Sequence, residues 1–281
     1  MNIRSLQTFI RVVELKSFTK AAYELNYVQS TVTMQIQQLE KELGYPLFDR
    51  IGKKIALTSY GENFFIYANE VLQIMQRVNN VGKNPEEMKG TLRIGLLESL
   101  LSGTTQHIFP LFKAHYKNIE VHLKMGQLYE LLPLLRQGQL DMLYISGELN
   151  MDPDFHCCYK RKENLVFISA PDHPLAGEHG VSLENVLSYP FIVTELSGTC
   201  YGRLNQLAFS HNLSLQHPLI VDSTIAIAEL VSQGMGIAFL PEYSVSDYIK
   251  QQRLAQISVN IPPQIYYSQI LHCKDKCCLL Y

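Results

Sequence analysis

Ser30, Thr33, Met34 and Gln37 fall at i, i+3, i+4 and i+7 of a stretch whose other face, Val32, Ile36, Leu39 and Leu43, is apolar at helical spacing. A helix surface turned only to water is ordinarily filled with Glu and Lys. This one carries small hydroxyls, an amide and a thioether, and no charge. Ser, Thr and Gln side chains hydrogen-bond base edges, and short side chains let a helix sit deep in the major groove of duplex DNA. The spacing therefore points to a reading helix, with Gln29, Ser30, Thr31, Thr33, Met34 and Gln37 as its candidate contacts.

Such a helix has to be held against others. Leu6, Phe9, Ile10 and Val13 share one helical face, and Phe18, Ala21, Ala22 and Leu25 repeat the spacing, with Ser17 or Thr19 available as N-cap. The small alanines permit close helix approach, and only Asn26 and Tyr27 separate the second helix from the third, as in a helix-turn-helix. Thr19, at the start of the second helix, joins the candidate contacts. Pro46 ends the third helix, and Ile55 and Leu57 alternate with polar neighbours as a strand does. Gly52-Lys53-Lys54 then reads as a hairpin tip whose ammonium groups, with Arg50 nearby, can reach phosphates or the minor groove.

Bulk charge gives no such hint: the 281 residues carry 24 Lys+Arg against 26 Asp+Glu. The first sixty residues hold eight basic side chains and five acidic ones, so the basic excess is local. With 47% hydrophobic residues, no apolar run of membrane-spanning length and no charged-then-apolar leader in residues 1–30, the expectation is a multi-domain cytoplasmic protein. The six cysteines (157, 158, 200, 273, 277 and 278) lack zinc-site spacing and read as thiols of a reducing compartment, with no metal or cofactor implied.

Ser17 to Ala22, Gln29 to Ile36, Gln38-Leu39-Glu40, Leu43-Gly44, Leu47-Phe48-Asp49-Arg50 and Leu57-Thr58 with Gly61 together resemble the winged helix-turn-helix of LysR-type transcriptional regulators, without gaps over about sixty residues. Ser30 stands where many members have Pro, and Met34 where many have Arg, which removes one bidentate guanine contact. The resemblance implies a DNA-binding regulator whose partners are promoter DNA, a small-molecule effector, further copies of the chain and RNA polymerase.

From Glu62 to Val81, Phe64, Ala68, Val71, Met75 and Val78 step by 4, 3, 4 and 3, a heptad seam uninterrupted by Gly or Pro until Gly82 and Pro85. Pairing with the same helix of a second chain is the expectation. The resemblance implies the same, a homodimer through this helix and commonly a homotetramer. Residues 82–90 (GKNPEEMKG) have a linker's composition.

Beyond Gly90 the pattern is α/β. Strands are predicted near 91–97, 119–125, 142–145, 165–169, 191–194, 219–221 and 237–240, alternating with helices, which implies a parallel right-handed sheet in two halves around a cleft. Gly126 with Leu131-Leu132, Leu135, Gly138 and Leu140-Asp141, and later Gly234 to Ala238 with Leu240-Pro241, resemble the family's effector-binding domain of periplasmic-binding-protein fold. The expected organisation is thus α/β overall: a winged helix-turn-helix (1–60), a dimerisation helix and hinge (61–90), and a two-subdomain effector-binding domain (91–281). Members continue past the strand resembling 264–272 with a terminal helix, so this one is expected to be shortened.

Ligands of open parallel sheets sit beyond the carboxyl ends of strands, against helix N-termini. That selects Ser99, Ser102, Gln127, Thr199 and Cys200 as candidate contacts to a small, anionic effector. Cys200 carries a second reading, since a subset of such regulators senses oxidants through a cysteine in this region, but the next ten positions hold no partner cysteine. No GxSxG, HExxH or Walker sequence is present and the nine histidines are scattered, so catalysis is not expected. A cytoplasmic solute-binding protein of similar fold is the remaining alternative, opposed by the extra ninety residues at the start.

Overall fold

A computed structural model of the chain describes residues 1–51, 54–101, 104–194 and 198–274. The first three helices are α1 (Ile3–Leu15), α2 (Phe18–Glu24) and α3 (Gln29–Leu43). Their starts are fixed locally: the Asn2 side chain accepts the Ser5 N–H at 2.9 Å, and the Ser17 hydroxyl accepts that of Lys20 at 3.2 Å. Ser17 rather than Thr19 is therefore the cap. Replacing Ser17 by Ala should cost about 1 kcal/mol of stability and lower the melting temperature of the purified protein by a few degrees. Gly44, at φ +82°, closes α3 in the left-handed conformation that suits glycine.

Leu6, Phe9, Ile10 and Val12 from α1, Ala21 and Ala22 from α2, and Val32, Ile36 and Leu39 from α3 form one core. Val12 is fully buried, and Val13 only packs at the edge. Phe9 is central, with ring centroids 5.1–6.2 Å from Phe48, Phe64 and Phe65. Strands β1 (Phe48–Ile51) and β2 (Lys54–Leu57) make an antiparallel hairpin after α3. Glu40 anchors it: its Oε1 accepts the N–H of Leu47 at 2.7 Å and of Phe48 at 3.2 Å.

Helix α4 (Ser59–Asn80) starts at Thr58, whose hydroxyl donates to the Pro46 carbonyl and accepts the Gly61 N–H. A Cβ at Gly61 would lie 2.1 Å from the Leu47 carbonyl oxygen, so glycine is what lets α4 close on the hairpin. Its 22 residues make a rod of about 33 Å at 1.5 Å per residue. Among the described residues no helix is long and apolar enough to cross a membrane.

Residues 82–90, linker-like in composition, connect α4 to the first strand of the next domain. Asn80 donates to the Lys89 carbonyl (2.8 Å) and accepts the Lys89 N–H (3.0 Å), tying the loop off at its base. One turn earlier Gln76 donates to the Thr91 carbonyl (3.1 Å), and Gln73 to Asp141 (2.7 Å). The side chains at 73, 76 and 80 share a face of α4, so the helix is docked along the edge of the next domain.

That domain is built on a seven-stranded sheet of β3 (Gly90–Leu96), β4 (Ile119–Met125), β5 (Met142–Gly147), β6 (Phe155–Ser169), β9 (Ala238–Pro241), β10 (Ala255–Ile257) and β11 (Gln264–Cys273). Its order is β10-β6-β11-β5-β3-β4, with β9 also on β6. β3 runs parallel to β4 and β5, whereas β11 is antiparallel to β5 and β6, and β9 and β10 are antiparallel to β6. The sheet is therefore mixed, not parallel as the strand–helix alternation implied. The long strands β6 and β11 account for the difference. They cross from one lobe to the other, and β6 carries the exposed run Tyr159 to Lys162 at mid-strand, which hides it from any apolar pattern. Helices α5 (Thr104–His115) and α6 (Leu128–Arg136) belong to the first lobe. α7 (Leu183–Leu187), α8 (Thr199–Ser210), α9 (Thr224–Ser232) and α10 (Glu242–Lys250), with the short parallel pair β7 (Ile192–Val193) and β8 (Leu219–Ile220), belong to the second. The shortened terminal helix expected after β11 would fall at 275–281, outside the described residues.

Candidate nucleic-acid interface and ligand cleft

Helix α3 turns Val32, Ile36 and Leu39 into the core, which leaves Gln29, Ser30, Met34 and Gln37 exposed and Thr31 and Thr33 half-exposed. Met34 is 64% exposed. No acidic residue lies among these six, so nothing on the face repels phosphate. Thr33 donates its hydroxyl to the Gln29 carbonyl (3.0 Å), and Thr19 donates to the Gln29 side-chain oxygen (3.2 Å), so the start of α2 and the start of α3 are pinned together. No side chain caps α3 at Val28, which leaves the open N-terminus of the helix free to meet a phosphate. Arg50 and Lys54 fall on the two strands of the hairpin, and Lys53 lies outside the described residues. Tyr27 and Val28, exposed just ahead of α3, are further surface that spacing alone does not mark.

The apolar seam of α4 differs from the heptad read in the sequence. Ala68 is 1% exposed, closed inside the core around Phe9, and Phe64 packs half-buried on the Phe9 ring. Met75 lines a groove between α4 and α1 with Leu72, Ile3 and Ile10. Ala68 and Phe64 thus serve the chain's own packing, and Met75 faces the side of α4 toward α1. What α4 leaves in the open is Tyr60, Tyr67, Val71, Ile74, Val78 and Val81, a continuous stripe that keeps Val71 and Val78 of the sequence seam. With Phe64 at its edge the stripe steps by 4 and 3 throughout. Sequence spacing could not choose between two interleaved seams, because an amphipathic helix with two apolar faces satisfies both.

Between the lobes lies a cavity of about 350 Å³. Ser99 and Gln127 reach it from the ends of β3 and β4, and Thr199 and Cys200 from the first turn of α8. Four of the five candidate contacts therefore meet in one place, and Ser102 lies outside the described residues. Ser99 is within 3.2 Å of the Tyr243 hydroxyl on α10, so it already bridges the lobes. Burial pushes the Tyr243 phenol well above its ordinary range, which keeps it a neutral hydrogen-bonding group. Tyr266 is raised in the same way and donates to the Thr199 carbonyl. Cys200 packs half-buried against the core of the second lobe, and no disulfide joins the described cysteines.

Glu98, Thr194, Asp222 and Thr224 also line the cavity, and spacing does not single them out. Glu98 is the most consequential. Its Oε1 accepts the Ser223 hydroxyl and its Oε2 the Thr224 N–H, both at 2.8 Å, so a carboxylate of the first lobe sits on the N-terminus of α9 in the second. Sequence reasoning passes over Glu98 because hydroxyls, not acids, are the usual partners of an anion. The expectation of an anionic ligand rests on helix N-termini facing the cavity: α8, which starts at Gly198 without a side-chain cap, keeps one open, whereas at α9 that place is taken by Glu98.

The sequence matches the model of the bacterial regulatory helix-turn-helix protein, lysR family, over residues 3–62, and that of the LysR substrate binding domain over residues 85–276. The chain belongs to the LysR family of transcriptional regulators. It is 31% identical over 280 residues to the HTH-type transcriptional regulator YwqM of Bacillus subtilis, covering 98% of this chain and 94% of that one. Two solved full-length structures share its fold: a point variant of OxyR from Pseudomonas aeruginosa (TM-score 0.74, 20% identity, 98% of this chain and 90% of that one) and CbnR complexed with its target DNA (TM-score 0.66, 19% identity, 98% and 94%). This LysR-family chain is accordingly a DNA-binding transcriptional regulator with an effector-binding domain.

Proposed function

We propose that this regulator reads promoter DNA with the outer face of α3, through Gln29, Ser30, Thr31, Thr33, Met34 and Gln37, with Thr19 bracing the helix start and Arg50, Lys53 and Lys54 of the hairpin reaching the phosphate backbone. The single observation that carries this is the exposed, uncharged face of α3 held rigidly by a fully formed core on its other side. The units are a head (1–60), a docked helix with its tied loop (61–90) and an effector domain (91–281). Pairing of the Tyr60–Val81 stripe between two copies sets two heads on one duplex. Exposed Ile108 and Leu111 on α5, with Leu123 and Met125 on the edge strand β4, offer a further apolar surface for assembly to a tetramer. A small molecule in the cleft shifts the relation between the lobes, and α4, docked through Gln73, Gln76 and Asn80, passes that shift to the heads and so to RNA polymerase in the cytoplasm. Its role is regulation, not catalysis, in keeping with relatives that are transcriptional regulators.

Footprinting of the DNA upstream of neighbouring genes locates the site, and a salt titration tests the mode of binding. Affinity should fall by about 10³-fold or more between 50 and 200 mM salt if two heads contact about six to ten phosphates. A salt-independent affinity, or no protected region, would refute the reading.

A further inference from the structure

Resting on the reading of the cleft as the effector site, we infer that its ligand is a small cation with an apolar body, such as a primary amine, whose charged head is taken by Glu98 and Asp222. The described cavity lining contains those two carboxylates and no Lys, Arg or His. Neither has an ion-pair partner among the described residues. The neighbouring residues whose side chains lie outside the description, 102–107 and 195–197, contain no Lys or Arg in the sequence and one histidine, His107.

A ligand carboxylate aimed at the N-terminus of α9 would find Glu98 already there and would bring a like charge against it in a partly dehydrated space. An ammonium group meets the opposite situation. A carboxylate offers about four acceptor positions, and the bonds from Ser223 and Thr224 occupy two. The same bonds fix the Glu98 side chain, so little rotamer freedom is lost when a ligand arrives. Asp222, exposed at the rim, adds a second negative charge on the approach. The rest of the wall suits hydrocarbon: Leu97, Leu128, Leu132 and Pro241 line it. Thr194 adds a hydroxyl oxygen that is shut away from solvent without a hydrogen-bond partner among the described residues, a group that a ligand-induced shift of the lobes can satisfy.

The test is a thermal-shift and calorimetric comparison on the full-length protein, using primary amines and their isosteric carboxylates in pairs: benzylamine with benzoate, cyclohexylamine with cyclohexanecarboxylate, and longer homologues of each. The amines should bind and raise the melting temperature. Glu98→Gln should weaken that binding tenfold or more, and Asp222→Asn, at an exposed position that does not threaten folding, should weaken it several-fold. Gln127→Trp, which fills the cavity from its wall, should abolish it. Carboxylates that bind as well as or better than the amines, and lose binding in Gln127→Trp, would overturn the charge assignment and leave the cleft as the effector site. Binding that survives Gln127→Trp, or a panel in which no member binds, would remove the cleft reading and this inference together.

Discussion

Gln37→Glu should lower the affinity for promoter DNA about a hundredfold or more without changing the mass of the assembled protein. Gln37 lies on the exposed face of α3, one helical turn beyond Thr33, with its backbone held by Ile36 and Leu39 in the core. The substitution is nearly isosteric, so neither the helix nor its packing is disturbed. It removes the amide donors, and a good base-edge contact is worth about 1–3 kcal/mol. It also places a negative charge roughly 6 Å from the backbone phosphates of the groove, which at an effective dielectric constant near 20 costs about 2–3 kcal/mol. Even at their lower ends the two together make about 3 kcal/mol, a little over a hundredfold, which is the least loss expected. Thr33→Glu should behave alike, whereas Gln37→Ala, which lacks the charge, should lose only about tenfold. Fluorescence anisotropy with the footprinted duplex measures all three, and sedimentation checks assembly. Wild-type affinity in Gln37→Glu would mean that another surface reads the DNA.

Ile74→Asp should split the oligomer. Ile74 is 48% exposed in the single chain and sits at the middle of the Tyr60–Val81 stripe. Burying an isoleucine contributes about 1.5–3 kcal/mol. About half of that remains to be gained by a residue already half covered in the single chain, and in a two-fold pair it counts twice, so its loss alone weakens the dimer by about 2 kcal/mol, roughly thirtyfold, before the two carboxylates repel each other. Met75→Asp is the informative contrast. Met75 faces the groove toward α1, away from the stripe, so its change should disturb pairing far less. Sedimentation at micromolar concentration distinguishes the two. An unchanged mass in Ile74→Asp would reject the stripe as the pairing surface. A monomer from Met75→Asp with an unaltered melting temperature would favour the seam read from spacing alone.

The amino-acid sequence by itself determined the helices of the head, the uncharged outer face of α3 and the family. These are local properties: period, capping residues and side-chain size within one turn of helix decide them, and Ser17, Gly44 and the Val32–Ile36–Leu39 stripe act within a few residues of themselves. It also marked the strand ends and the helix start from which Ser99, Gln127, Thr199 and Cys200 meet. Tertiary structure alone decided three things. Strands β6 and β11 run antiparallel across both lobes, because pairing partners far apart in the chain select direction. Ala68 turns into the core and Met75 toward α1, because α1 and the hairpin occupy one side of α4 and leave the other bare. Glu98 rests on the end of α9, a contact between residues 125 positions apart, and that contact gives the cleft its charge. Periodicity reports which residues share a face; only the fold reports what that face meets.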